Sequence, residues 1–211
     1  MRAYPAPYRP PRLCDILPSM SQPYFFPPSP ELMSPGDTAL VVVDVQEKLA
    51  GAIADSKRIV WNIRRLLDAA KLLGLGIVAT EQYPQGLGPT VPELAERLGP
   101  AASKLSFSCR GCPELFGDLR GRGLSKLLVV GMETHVCVQQ SVLDLLADGW
   151  RVYVAADAVG SRFEIDYRTA LRRMESAGAM LTTTEAAMFE WCQAAGTPEF
   201  KQISRWVRET P

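Results

Sequence analysis

Histidine is almost missing from this 211-residue chain, which has only His135. That excludes a multi-histidine zinc site, and any Ser-His or Cys-His catalytic pair whose histidine lies elsewhere in the chain. Net charge is missing too, because 23 Lys and Arg are balanced by 23 Asp and Glu. Without a bulk field there is no electrostatic footprint for nucleic acid or for an anionic membrane, and neither is expected as a partner. No apolar run approaches the roughly 20 residues of a membrane helix; residues 39–43 and 127–130 are strand-sized. A secretory signal is not recognisable, and the five cysteines, Cys14, Cys109, Cys112, Cys137 and Cys192, are an odd set. Free thiols in a reducing compartment follow, with the cytoplasm as the expected location.

Proline is abundant at one end, since more than half of the seventeen prolines fall in residues 1–36. Regular structure is unfavourable there, so 1–36 reads as a disordered tail and 37–211 as a single domain. Arg2, Arg9 and Arg12 with few acids invite a transit-peptide reading of that tail, which its prolines oppose by breaking the amphipathic helix such a peptide needs. From Thr38 onward, short β-rich apolar runs alternate with helix-length stretches of 3.6-residue period. The fold expected is α/β, a doubly wound, Rossmann-like parallel sheet of six strands flanked by helices. Strands are predicted over 39–44, 76–80, a short segment ending near Lys104, 126–131, 151–156 and 179–183. Ile59, Val60, Ile63, Leu66, Leu67, Ala70 and Leu73 share one helical face, with Gly74 as a stop. Further helices are predicted over 114–122, 137–148, 166–177, 185–194 and 198–208.

Ligands of doubly wound sheets bind beyond the carboxyl ends of the strands, so strand-end residues hold the chemistry. Asp44 closes the first apolar run; it is either a helix N-cap or a carboxylate that needs a charged partner in a dry cleft. Lys104 closes the short third strand, where a solvated lysine is the plain alternative to a functional ammonium. Cys137 ends the turn 131–137 at an expected helix N-terminus, where the helix dipole favours thiolate, although buried free cysteines commonly serve only in packing. Taken together, an ammonium that holds a carboxylate and a thiol whose proton that carboxylate accepts make a working set.

The segments 38–46 (Thr-Ala-Leu-Val-Val-Val-Asp-Val-Gln), 104–107 (Lys-Leu-Ser-Phe) and 131–138 (Gly-Met-Glu-Thr-His-Val-Cys-Val), with Asp144, Asp157 and Ser161 downstream, resemble the isochorismatase-like cysteine hydrolase superfamily. The resemblance implies strand order 3-2-1-4-5-6 and Asp44, Lys104 and Cys137 as catalytic Asp, Lys and Cys. It also implies a covalent thiol intermediate, a cis peptide between Met132 and Glu133, and an oxyanion hole made by the amides of Glu133 and Cys137. Homo-oligomerisation is a further implication, for which apolar residues near the C-terminus (Phe189, Trp191, Phe200, Trp206) offer a contact or simply finish the core.

Departures narrow the chemistry. Relatives that hydrolyse nicotinamide hold a metal through an Asp-x-His-x-His-like cluster, where this chain has Thr80-Glu-Gln-Tyr-Pro-Gln-Gly-Leu-Gly-Pro-Thr90. That segment resembles the isochorismatase domain-containing subgroup. No metal and no cofactor is expected. Gln46, Glu81, Tyr83 and Thr134 are candidate substrate contacts, with loop bracing as their alternative. The expected function is metal-independent hydrolysis of a small amide, carbamoyl or ester-like substrate. Its rivals are an interaction protein that keeps the fold without turnover, and a thiol redox protein using Cys137 or the Cys109-Arg-Gly-Cys112 pair.

Overall fold

The computed structural model describes residues 27–210. Most of the expected proline-rich tail, together with Cys14, lies outside the described residues. The chain divides at Glu31, and the compact unit from Leu32 onward carries the elements below.

Six strands form one parallel sheet: β1 (Thr38–Val43), β2 (Gly76–Gln82), β3 (Ala102–Lys104), β4 (Lys126–Met132), β5 (Arg151–Gly160) and β6 (Met180–Thr182). Their order is 3-2-1-4-5-6, as expected. Between them run α1 (Glu47–Ala52), α2 (Ser56–Leu73), α3 (Pro84–Leu87), α4 (Pro92–Ala95), α5 (Pro113–Gly121), α6 (Gln139–Ala147), α7 (Glu164–Ser176), α8 (Thr184–Cys192) and α9 (Pro198–Trp206).

β1 is apolar throughout because both its faces are covered, as parallel strands require. Leu40 and Val42 pack with Ile59, Ile63 and Leu66 of α2 and with Trp191 of α8. Ala39, Val41 and Val43 point the other way, into a second core with Phe116 of α5, Val142 of α6 and Met174 of α7. The periodic stretch ahead of Gly74 is a single 18-residue helix, and Gly74 stops it in the left-handed region at φ 73. Leu75 N–H then donates to Ala70 O at 2.9 Å, which closes the last turn.

Two departures from the sequence reading shape the site. The short helices α1, α3 and α4 have four to six residues, too few to print a 3.6-residue pattern; α3 and α4 start at Pro84 and Pro92, where the missing N–H costs nothing. β5 runs on to Gly160 past an irregularity, its register moving from Val129↔Val154 to Gly131↔Val159 and Met132↔Gly160. The loop after β5 is thereby delivered beside the end of β4.

Candidate active site

The chain leaves β1 at Asp44 in the left-handed region, φ 52, which Asp tolerates better than most residues. Its N–H still donates to Thr80 O, 3.1 Å away on the neighbouring strand. The carboxylate is buried and accepts from Thr80 Oγ1 at 2.8 Å and from Lys104 Nζ at 2.6 Å. Lys104 arrives from the end of β3, and its ammonium also donates to Phe107 O at 2.8 Å and Ser106 O at 3.3 Å. Three donor positions thus meet three acceptors, with both side chains no more than 1% exposed. Burying two ions costs several kcal/mol each and is offset only by such complete pairing. The helix-cap alternative for Asp44 is not what the structure shows, since α1 begins later with Gln46 at its N-cap.

β4 supplies the third group. Gly131 crosses β1 so closely that a Cβ there would stand 2.2 Å from Val43 O, so glycine is required. Glu133 then takes φ 55, and Thr134–Val138 wind as a π turn ahead of α6. Turns of this type recur at functional sites, and this one carries Cys137 in its interior and not at a helix N-terminus. The parallel pairing of β1 with β4 brings this turn beside the end of β1, where the Cys137 thiol comes under the influence of the Asp44 carboxylate.

Two expectations are corrected here. Among the described residues no peptide is cis, and the reversal after Met132 is made by Gly131 and the left-handed Glu133 instead. Nor is Cys137 held as a thiolate by a helix dipole. Burial, then the charge of Asp44 and the hydrogen bond to it, push the thiol well above its ordinary range, with Lys104 opposing. These influences favour the protonated thiol.

Around this set the other expected residues divide. Gln46 has its amide engaged with loop backbone: Nε2 donates to Gln82 O (3.0 Å) and Gly88 O (2.7 Å), and Oε1 accepts from Gln82 N–H (2.9 Å). Glu81 accepts from both the N–H and the hydroxyl of Thr90 at 2.7 Å. Both brace the 80–90 loop. Tyr83 stands exposed at the rim with its ring over Gly86, where a Cβ would clash at 2.3 Å. Thr134 is fully buried in the turn that carries Cys137, and its hydroxyl has no hydrogen-bond partner among the described residues.

Residues that the sequence reading did not single out complete the site. Thr80 is legible only through the register Val43↔Thr80, which places it beside the end of β1. Ser141 lies one helical turn beyond Cys137, donating to Cys137 O (2.7 Å) and accepting from Cys109 N–H (2.9 Å). Cys109 is buried with its sulfur 3.7 Å from Thr80 Oγ1, whereas the Cys112 sulfur faces Ser103 O, and the four described cysteines are free thiols. Asp157 serves α8, accepting from the N–H (2.8 Å) and hydroxyl (3.0 Å) of Thr184. A cleft of about 540 Å³ between α5 and α6, lined by Arg110, Phe116, Arg120, Asp144 and Leu145 among others, includes none of Asp44, Lys104 and Cys137.

The model of the isochorismatase domain matches residues 38–186, which contain all three strand-end groups. The chain belongs to the isochorismatase domain family. Isochorismatase domain-containing protein 2 of Homo sapiens is 41% identical over 184 residues, covering 86% of this chain and 88% of that protein. Among solved structures, the MAR1 ribonuclease of Caenorhabditis elegans superposes with TM-score 0.80 at 40% identity, over 85% of this chain and 93% of that one. The YcaC gene product of Escherichia coli, described as an octameric hydrolase of unknown specificity, superposes with TM-score 0.77 at 25% identity, over 88% of this chain and 92% of that one. At the coarse level this is a family that contains hydrolases.

Proposed function

We propose that the chain is a metal-independent cysteine hydrolase of small amide, carbamoyl or ester-like substrates, with Asp44, Lys104 and Cys137 as its catalytic residues. The observation that carries the reading is that one buried carboxylate, Asp44, accepts from the Lys104 ammonium at the strand ends where parallel pairing of β1 with β4 also delivers the turn holding Cys137. In the first half-reaction the Cys137 sulfur attacks the substrate carbonyl carbon while its proton passes to Asp44. The tetrahedral intermediate collapses to a thioester, and the leaving amine or alcohol takes the proton from Asp44. Water then attacks the thioester and gives its proton to Asp44; collapse releases the acid, and the departing sulfur recovers that proton. Lys104 exchanges no proton in this scheme and holds the Asp44 carboxylate in line through its 2.6 Å hydrogen bond.

The amides of Glu133 and Cys137 are assigned to the oxyanion, and the unpartnered Thr134 hydroxyl to a substrate polar atom. A thiol that keeps its proton suits this scheme, because the proton leaves only as the sulfur attacks. Metal independence is supported by the single histidine and by the 80–90 loop, whose one carboxylate, Glu81, is engaged with Thr90. The reading places the protein in a reducing cytoplasm as a homo-oligomer.

The test is a panel of small amides, carbamates and esters with product release followed for wild type and Cys137→Ala. The substitution should lower turnover by about a thousandfold or more; a variant with full turnover of an identified substrate overturns the reading. The ribonuclease name of the C. elegans protein defines the rival outcome: RNA cleavage that survives Cys137→Ala. The balanced charge of the chain opposes it, since phosphate backbones are held chiefly by excess Lys and Arg.

A further inference from the structure

Glu133 holds a left-handed backbone, φ 55, that side chains other than Asn and Asp seldom adopt. Its carboxylate, 6% exposed, does not join Asp44 and Lys104. It reaches instead to the loop after β5, where Arg162 Nε lies 3.2 Å from Oε1 and Arg162 Nη2 3.4 Å from Oε2. The Arg162 backbone N–H adds a third bond at 3.4 Å. A second tie runs beside it, from Ser161 Oγ to His135 Nδ1 at 3.0 Å. His135 Nε2 stands 3.7 Å from Glu133 Oε2 and 3.8 Å from Asp166 Oδ2. The turn that carries the nucleophile is therefore bound at Glu133 and His135 to the successive residues Arg162 and Ser161, which β5 reaches only because it continues past its irregularity to Gly160. The hydrolytic scheme above uses none of these side chains.

We infer that Arg162 is a positioning residue: through its ion pair with Glu133 it holds the 131–137 turn on the left-handed path that aims the Glu133 and Cys137 amides at the oxyanion. The inference rests on the cysteine-hydrolase reading. Without the Arg162 guanidinium the buried Glu133 carboxylate keeps only the backbone N–H of residue 162 and His135 as polar neighbours, and regains hydration by turning outward, which takes its backbone out of the left-handed region. Reactions that build charge on a carbonyl oxygen then slow, while substitution at the Cys137 sulfur that builds none proceeds as before.

Two probes on the full chain separate these. With 4-nitrophenyl acetate the sulfur attacks a carbonyl, an oxyanion forms and 4-nitrophenolate leaves. With iodoacetamide the sulfur displaces iodide at a saturated carbon, and the thiol proton passes to Asp44 or water. In Arg162→Ala the 4-nitrophenolate burst at Cys137 should slow by about 10- to 100-fold, expressed in the maximal acylation rate and not in the ester concentration at half-saturation. Alkylation, followed by mass spectrometry, should stay within about threefold, and Arg162→Lys should recover part of the burst, because it keeps the charge and loses the fork. Arg162 is about half exposed, and thermal melting of each variant checks the fold. Equal slowing of both probes, or an unchanged ester burst, overturns the positioning role. An ester burst undiminished in Cys137→Ala would instead remove the hydrolase reading itself.

Discussion

At the scale of single residues, the Asp44 carboxylate and burial bear on the state of the Cys137 thiol. Burial and the adjacent anion keep the proton on sulfur, so alkylation of Cys137 by iodoacetamide should climb with pH through and beyond the ordinary thiol value of about 8.5, with no plateau near neutrality. Alkylation rates between pH 6 and 10 measure this; a plateau at pH 6–7 would mean a thiolate at rest. The same shift bears on stability with a definite sign. Below the unfolded thiol pKa both states hold the proton and the contribution is constant. Above it the unfolded chain releases the proton first, so stability falls as pH rises toward the folded value.

At the scale of elements, two glycines with positive φ show that one substitution has two costs. Gly74 ends α2 at φ 73 with nothing near the position of an added Cβ, so Gly74→Ala meets only backbone strain, about 1–2 kcal/mol. Gly131 stands at φ 150 with Val43 O 2.2 Å from the same hypothetical atom. Gly131→Ala must push β4 away from β1 beside the turn that carries Cys137, and should cost about 3 kcal/mol or more together with the hydrolysis proposed above. Urea denaturation of the pair gives the comparison; similar losses for both would show that β4 yields easily. The sheet order came from the family resemblance, whereas helix 56–73 was legible in the sequence because apolar period and turn residues are local signals. The irregular extension of β5 was not, since a register shift depends on which backbone lies alongside.

At the scale of the whole molecule, five large apolar side chains are exposed beyond the carboxyl ends of the strands: Tyr83, Leu105, Phe107, Phe163 and Ile165. They follow β2, β3 and β5, the strands that surround the candidate site. Exposed apolar surface gathered at one end of a sheet is what association between copies covers, in keeping with the octameric E. coli relative. Sedimentation velocity at micromolar concentration should therefore give a mass that is a multiple of 23.2 kDa. A monomer would remove the homo-oligomer from the proposal. No helix among the described residues is long and apolar enough to cross a membrane.

The sequence by itself determined where chemistry could reside, because strand ends are marked by the apolar run that stops at Asp44, the short strand that closes at Lys104 and the glycine-led turn before Cys137. It also limited the kinds of chemistry, since one histidine cannot build a histidine cluster. What only the tertiary structure decided was which groups meet. Asp44 and Lys104 are 60 residues apart in sequence and share a hydrogen bond because parallel pairing of β1, β2 and β3 brings their ends together. Whether Cys137 is a thiol or a thiolate is likewise a property of everything packed around it. Gln46 and Glu81 read as candidate substrate contacts, and only the folded loop shows the bonds they make with Gln82, Gly88 and Thr90; Arg162 had no local mark at all, since its partner Glu133 lies 29 residues away in the turn after the neighbouring strand. Periodicity is written along the chain, whereas burial and pairing are set across it.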